Sequence, residues 1–263
     1  MMKKMREEPE NKMENTERTK KEILRRDMEV LEEILEVGRR MYQKGYAPAN
    51  AGNISIRVGS NEVWTTPSGV SKGYMTEEML VKTDLEGNVL FGNRKPSSEL
   101  KMHLALYQAL PEIRSVVHAH PPISTAFAVA GLSLDQAYLQ EAVVSPGVVP
   151  LIPYALPGSL ELAEAVGRGC RGYNALLLEN HGVVTWGTDA VHAFYSLETI
   201  EHAAATAMYL KIMGQERMMT EEQIDGLIQL RRAWGVQAGG RPRGRTDSGR
   251  ESKRSDGAKL FES

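Results

Sequence analysis

Two different spacings of apolar residues along the chain predict an early helix followed by strands. Four apolar residues from Leu24 to Leu35 are four, three and four positions apart, which places them on one face of a helix. Gly45 then supplies a residue type that commonly ends a helix. From about residue 50 to 92 the period changes to two, and the segments NISIRV and EVWTT are rich in residues that favour strands. These patterns predict a helix that ends near Gly45 and a strand-rich region after it.

The rest of the chain is predicted to contain helices interleaved with short apolar strands. A helix is predicted to begin in the segment PSSEL, with Ser97 or Ser98 as its N-cap, and a buried strand follows in IRSVVHAH. Further strands are predicted in VVPLIPY, NALLLE and GVVTW, and further helices at about 159–171, from Thr188 to Gly214 and at about 220–234. Because strands occur beside one another as well as between helices, we expect an α/β fold. Its sheet should be largely antiparallel or mixed, with helices on both faces.

Composition changes at both ends of the chain and indicates one central domain. Residues 1–16 are polar, contain a proline and lack an apolar period, so they are predicted to be a disordered extension. Residues 238–263 are rich in glycine, arginine and lysine, which is typical of a flexible basic tail. An alternative is a tether that docks through Leu260 and Phe261. Residues 17–237 would then form the folded domain.

The overall composition narrows the class of protein. The chain has 263 residues, of which 41% are hydrophobic and 25% charged, and its net charge is −2. These values exclude a globally basic nucleic-acid binder, and no apolar run approaches the roughly 18 residues needed to span a bilayer. The first 20 residues lack the apolar core of a secretory signal, and the single cysteine, Cys170, has no partner for an internal disulfide. We expect a cytoplasmic enzyme or binding protein without nucleic-acid or membrane partners.

Three histidines form the strongest chemical signal in the sequence. His118 and His120 lie two residues apart at the end of an apolar strand, so both side chains face the same side of the sheet. Such a pair can ligate one metal ion, although two histidines could equally be hydrogen-bonded core residues. His181 ends another apolar strand, just before Gly182. Three histidines complete the protein ligands of a catalytic zinc site and leave one position for substrate.

A carboxylate and one more histidine lie on the helix that follows residue 98. Glu99 could serve as a general base near the metal, or simply favour the helix N-terminus, where an acid contributes about 0.3–1 kcal/mol. His103 lies four residues further on, on the same helix face. It is a rival metal ligand, but a histidine on a helix more often packs or supports the ligands.

Three loops offer neutral donors for an anion. Asn53 lies in AGNIS, Ser68 and Gly69 lie in TPSG, and Ser97 and Ser98 lie at the predicted helix start. Hydroxyls and backbone amides at a helix N-terminus form a suitable phosphate site, although serine is also common there as a simple cap. No Arg or Lys lies within these motifs, and the glycine-rich fingerprints of nucleotide sites are absent.

The motifs GNIS, TPSG, PSSE, VVHAH and ENHG, in this order and spacing, resemble the class II aldolase/adducin family, and within it the fuculose-phosphate aldolases. The resemblance covers roughly residues 25–235. It implies a three-layer α/β/α sandwich on a mostly antiparallel sheet, and a homotetramer with active sites shared between adjacent subunits. It also implies one zinc ion per subunit, held by His118, His120 and His181. Glu99 would be the resting fourth ligand and the catalytic acid/base, and the five loop residues would hold the substrate phosphate.

The chain departs from the family pattern at two positions. Fuculose-phosphate aldolases use a tyrosine from a neighbouring subunit as proton donor, and ungapped alignment from His120 places Leu139 there. Tyr138, one residue away, is therefore the candidate. Family members also close the site with a C-terminal tyrosine, where this chain has Trp234. An indole donates a hydrogen bond but cannot act as an acid, so the substrate could differ; Trp234 could also simply pack under the last helix.

Several functions follow from the resemblance. The first is a zinc-dependent aldolase that cleaves a phosphorylated ketose, such as L-fuculose 1-phosphate, to dihydroxyacetone phosphate and a short aldehyde such as lactaldehyde. The second is a 4-epimerase of a pentulose 5-phosphate. The epimerases resemble a pattern S-S-D at the start of this helix, whereas this chain has Ser97-Ser98-Glu99. A dehydratase or decarboxylase of the same family is third. A non-enzymatic adducin-like module is the fourth, and it would be expected to lack the three histidines.

Overall fold

The computed structural model describes the backbone of residues 7–245 and the side chains of residues 25–245. Helix α1 (Glu7–Gln43) begins earlier than predicted, since residues 7–16 are helical rather than disordered. Four of the ten residues 7–16 are Glu, which has a high helix propensity. Pro9 falls in the first turn, where its missing N–H costs no intrahelical hydrogen bond. The absence of an apolar period therefore did not indicate disorder, and residues 1–6 lie outside the described part.

One sheet of eight strands forms the centre of the fold. Its strand order is β4-β3-β2-β1-β5-β8-β7-β6, and every neighbouring pair is antiparallel except β6 and β7. The predicted antiparallel sheet is therefore confirmed. The strands are β1 (Asn53–Val58), β2 (Glu62–Thr65), β3 (Val81–Asp84), β4 (Val89–Phe91), β5 (Ser115–Ala119), β6 (Leu151–Ile152), β7 (Ala175–Leu178) and β8 (Gly182–Gly187).

Helices cover both faces of this sheet, which confirms the three-layer arrangement. The remaining helices are α2 (Leu100–Ala109), α3 (Pro122–Val129), α4 (Gln140–Val144), α5 (Leu160–Gly169), α6 (Ala190–Met213) and α7 (Glu221–Ala233), with 3-10 turns at Lys72–Tyr74 and Glu77–Met79. In β5, Val117 packs in the core under α1 and α6, whereas Val116 packs in the core under α2 and α5. This alternation directs His118 to the α2 face. Among the described residues, no helix combines the length and apolar character needed to cross a bilayer.

Most helix ends follow the sequence, but the start of α2 does not. The side chains of Ser159, Asp189 and Thr220 cap α5, α6 and α7 as acceptors. The N-cap of α2 is Glu99, not Ser97 or Ser98, and its side chain makes no capping bond. The short helices α3 and α4 had no periodic signal long enough to predict them.

The start of the C-terminal segment is docked against the domain rather than being a free tail. The Gly239 N–H donates to the Gly172 carbonyl at 2.8 Å. The buried guanidinium of Arg231 donates to the Gly240 carbonyl at 2.7 Å. Residues 238–245 thus differ from the flexible tail predicted by composition, because backbone hydrogen bonds to distant residues have no compositional signature. Residues 246–263, with Leu260 and Phe261, lie outside the described part.

Candidate metal centre and active site

Two neighbouring strands bring the three histidines together. His118 lies in β5, and His120 lies one residue beyond the end of this strand. His181 lies in the turn that leads into β8, which pairs with β5. A side chain at Gly182 would place its Cβ 2.6 Å from the His120 ring and 2.5 Å from the Ala119 carbonyl. Glycine is therefore required there for the turn to approach β5 this closely.

The three imidazoles have the spacing of a metal site. Nε2 of His118 lies 3.0 Å from Nε2 of His120, and one ring nitrogen from each of His118, His120 and His181 lies within 4.8 Å of the others. Nitrogens bound to one tetrahedral zinc ion at about 2.0–2.1 Å lie roughly 3.3 Å apart. The observed cluster fits an ion of this kind with small side-chain movements.

The protonation of the rings also suits metal binding. Nδ1 of His118 lies 2.9 Å from the Val183 carbonyl, and a carbonyl only accepts, so Nδ1 carries the proton. The lone pair of Nε2 is then directed at the cluster. Burial lowers the pKa of His118 to about 4 and that of His120 to about 3. Both rings are therefore neutral near pH 7, as ligation requires.

The side chain of Glu99 lies beside the histidine cluster. Its carboxylate lies 3.2 Å from Nε2 of His181 and 3.4 Å from Nε2 of His118, and the Asn53 amide donates to it at 2.9 Å. Burial on its own would raise the pKa of Glu99, but His118, His181 and the Asn53 hydrogen bond outweigh burial and hold its pKa below the usual value. A buried carboxylate beside three clustered imidazoles is a donor set that a divalent cation would complete.

His103 supports the site and is not a member of the histidine cluster. Its ring is buried, and Nδ1 lies 2.7 Å from the Ser55 hydroxyl. That hydroxyl also lies 2.8 Å from the Tyr107 hydroxyl. Burial lowers the pKa of His103 to about 4, so the ring is a neutral member of a hydrogen-bonded layer beneath α2. The sequence-based preference for a supporting role over direct ligation agrees with this placement.

The structure also brings the predicted phosphate loops together. Ser68 N–H donates to the Lys95 carbonyl and Ser97 N–H donates to the Thr66 carbonyl, both at 3.0 Å. Gly69, with φ of 74°, turns the first loop in a conformation that favours glycine. Ser98 lies against Gly158, where an added Cβ would be 2.7 Å from the Ser98 carbonyl oxygen.

Asn53 joins these loops to the histidines. Its backbone is the register partner of His118 between β1 and β5, while its side chain holds Glu99 rather than standing free for an anion. Asn53 and Glu99, whose N–H donates to the Ser97 hydroxyl at 3.3 Å, therefore connect the start of α2 to the histidine cluster.

Two residues that the family pattern links to the active site, Tyr138 and Trp234, do not contact the histidine cluster of their own chain. The Tyr138 hydroxyl donates to the Glu216 carboxylate, and burial together with Glu216 raises the pKa of Tyr138. It makes no contact with the histidine cluster among the described residues. Trp234 follows α7 and is 66% exposed, so it is not packed under that helix. Neither residue completes the site of its own chain.

Sequence reasoning missed two buried charged residues beside the site. Glu201 in α6 accepts the backbone N–H groups of Ile123 and Ser124, both at 2.8 Å, and so fixes the start of α3 just after His120. Lys72 is 1% exposed and contacts the loops that carry Asn53 and Gly69. No local pattern signals Glu201, and Lys72 lies three residues outside the TPSG motif.

The fold and the site together define an α/β/α sandwich that carries a buried carboxylate beside three clustered histidines. The sequence profile of the family described as Class II Aldolase and Adducin N-terminal domain matches residues 32–208, and the chain belongs to this family. Enzymes of the class are lyases and are generally metal-dependent. The three-histidine cluster agrees with this property, while the identity of the metal, the cytoplasmic location and the absence of a nucleic-acid partner stay predictions.

The names of relatives within the family include both decarboxylases and aldolases. The chain is 35% identical over 207 residues to the 3-oxo-tetronate 4-phosphate decarboxylase of Haemophilus influenzae, covering 76% of this chain and 97% of the relative. It is 38% identical over 174 residues to the L-fuculose phosphate aldolase of Methanococcus maripaludis, covering 66% and 93%. A solved L-fuculose 1-phosphate aldolase superposes with a TM-score of 0.72 at 28% identity, covering 77% of this chain and 95% of that one.

Proposed function

We propose that this protein is a zinc-dependent aldolase that reversibly cleaves a phosphorylated ketose, such as L-fuculose 1-phosphate, to dihydroxyacetone phosphate and a short aldehyde such as lactaldehyde. One observation carries the proposal: the buried Glu99 carboxylate lies 3.2 and 3.4 Å from two of three clustered histidines. The loops of Ser68 and Ser97 lie beside it. In this proposal, the metal site, the acid/base and the anion-binding residues lie at one end of the sheet.

The chemistry divides between the metal and the chain's own residues. A divalent ion held by His118, His120 and His181 would supply Lewis-acid stabilisation for the negative charge that develops when the C3–C4 bond breaks. Glu99 delivers a proton to C3 of the three-carbon fragment during cleavage, and removes it during synthesis. Asn53 orients this carboxylate through its hydrogen bond. Neutral amides and hydroxyls at Ser68, Gly69, Ser97 and Ser98 bind the phosphate.

A decarboxylase is the second candidate, and the 35% identity to a 3-oxo-tetronate 4-phosphate decarboxylase supports it. Loss of CO₂ from this substrate leaves the same three-carbon enediolate, which Glu99 would protonate to dihydroxyacetone phosphate. Aldolase and decarboxylase therefore need the same metal, proton carrier and phosphate site. They differ in the group that leaves, which is an aldehyde in one reaction and CO₂ in the other.

Product analysis of the zinc-loaded protein separates the candidates. We expect dihydroxyacetone phosphate and lactaldehyde in equal amounts from L-fuculose 1-phosphate. Dihydroxyacetone phosphate with CO₂ from 3-oxo-tetronate 4-phosphate, and no cleavage of several ketose 1-phosphates, would replace the aldolase by the decarboxylase. Epimerisation of a pentulose 5-phosphate without release of any three-carbon product would contradict both and favour the epimerase.

We also propose that the protein is a homotetramer with shared active sites. Tyr138 does not contact the cluster of its own chain, so a role as proton donor to the aldehyde oxygen requires an adjacent subunit and exchange of its hydrogen bond to Glu216. The end of α6 exposes Tyr209, Ile212 and Met213, an apolar surface suited to such contacts. A cyclic oligomer forms each contact from two different surfaces, as a shared site needs.

Light scattering tests the assembly directly. We expect a mass of four chains at micromolar concentration, and Tyr138→Phe should lower kcat while leaving the mass unchanged. The exposed Tyr154, which lies on a different loop, offers a matched control as Tyr154→Phe. A fully active monomer would contradict the shared site.

A further inference from the structure

The only lysine whose side chain is buried in the described part of the chain lies behind the candidate phosphate loops. Lys72 is 1% exposed, and its ammonium donates to the Asn50 carbonyl at 3.1 Å and to the Val70 carbonyl at 2.5 Å. Val70 directly follows Gly69, and Asn50 lies three residues before Asn53. The ammonium therefore connects the loop of the proposed phosphate contacts Ser68 and Gly69 to the segment that leads into Asn53.

Close packing keeps this lysine in place. Helix α1 lies directly on the 3-10 turn Lys72–Tyr74, where a Cβ at Gly38 would be 2.8 Å from the Lys72 carbonyl oxygen. A Cβ at Gly73 would be 2.5 Å from the Tyr42 ring. Because α1 leaves no space on its side, the Lys72 side chain extends toward the loops that contain Asn50 and Val70.

Among the described residues, the ammonium of Lys72 forms no ion pair with a carboxylate. A buried cation costs free energy unless an opposite charge matches it, and two carbonyls supply only partial negative charge. Lys82 shows the contrast, because its ammonium lies 2.8 Å from Asp27 and 2.9 Å from Glu62. Burial accordingly lowers the pKa of Lys72 to about 8, and Glu99 partly counters this effect.

We infer that Lys72 is a positioning residue for phosphorylated substrates, whose buried positive charge stabilises the phosphate dianion held by the neutral loop of Ser68 and Gly69. The inference rests on the proposed function and deepens it. The loop motifs themselves contain no basic residue, so hydroxyls and amides would position the phosphate while Lys72 balances its charge. A bound phosphate would in turn supply the counter-charge that Lys72 lacks.

Binding of inorganic phosphate, measured by calorimetry on the metal-loaded protein, tests the inference. Lys72→Met keeps the length of the side chain and removes its charge. We expect phosphate binding to weaken roughly 10- to 100-fold, because the variant loses the Coulomb attraction of one buried positive charge for the anion. KM for the phosphorylated ketose should rise similarly, while kcat and metal content stay close to wild type.

Two variants separate charge from simple loop fixation. Lys72→Arg should retain most of the phosphate affinity, whereas Lys72→Gln, which can still donate to a carbonyl, should lose it. Lys82→Met is the matched control and should bind phosphate like wild type. If Lys72→Met does not fold, Lys72→Gln and Lys72→Arg still decide the question.

The inference is overturned if Lys72→Met or Lys72→Gln binds phosphate like wild type. It is equally overturned if each neutral variant loses kcat and metal content in proportion to phosphate affinity, since that pattern indicates a purely structural lysine. Wild type that binds phosphate through Lys72 but cleaves no ketose phosphate would instead overturn the proposed aldolase alone.

Discussion

Glu99→Gln is expected to lower kcat by roughly 10²–10⁴-fold, the range for loss of a general base, while the protein keeps its metal and its substrate affinity. The amide preserves the shape of the side chain at the start of α2 but cannot carry the proton to or from C3. In the resting site, His118, His181 and the hydrogen bond from Asn53 hold the pKa of Glu99 below its usual value. Displacement by substrate into a drier environment should raise the pKa of the carboxyl toward the range where a base works near neutral pH.

Exchange of the C3 proton of dihydroxyacetone phosphate with deuterium isolates this step without the aldehyde. Wild type should exchange it, and Glu99→Gln should exchange it slower by the same factor as the loss in kcat. Glu179→Gln is a suitable control, because Glu179 accepts the Tyr154 N–H at 2.7 Å, a bond that glutamine can keep. Equal exchange by Glu99→Gln and wild type would show that Glu99 is not the base.

His120→Ala is expected to abolish stable zinc binding and, with it, the cleavage activity. Mutating only the residues that support a ligand typically costs 10–100-fold in metal affinity, so loss of a ligand should cost more. Zinc at about 100 times its Kd stabilises the folded state by about 2.7 kcal/mol. Wild type should therefore lose roughly 5–10 °C in Tm when a chelator removes the metal, whereas the variant should show no such change.

Mass spectrometry of the purified proteins gives the metal content and its identity. We expect one zinc ion per wild-type chain and less than about a tenth of that for His120→Ala, given the affinity loss expected for a missing ligand. His202→Ala serves as the control, because His202 is exposed on α6 and lies outside the cluster. Equal zinc in His120→Ala and wild type would contradict the proposed ligand set.

Local spacing determined much of the candidate site from the sequence. The period of two in β5 places His118 and His120 on one face, because successive strand residues alternate. Gly214, with φ of 64°, ends α6, and Asp189 and Thr220 begin helices where their side chains accept backbone N–H groups. In each case the decisive interaction lies within a few residues along the chain, so a short window of sequence contains it.

The tertiary structure decided the features that depend on residues far apart in sequence. Glu99 meets Asn53, 46 residues away, and Glu201 fixes the start of α3 from 77 or 78 residues away. The burial of Lys72 under α1 and the docking of residues 238–245 likewise have no local pattern. Tyr138 was predicted by alignment to serve the site, yet its own chain pairs it with Glu216. Side-chain chemistry and periodicity are properties of the local sequence, whereas burial and charge pairing arise only when distant segments pack together.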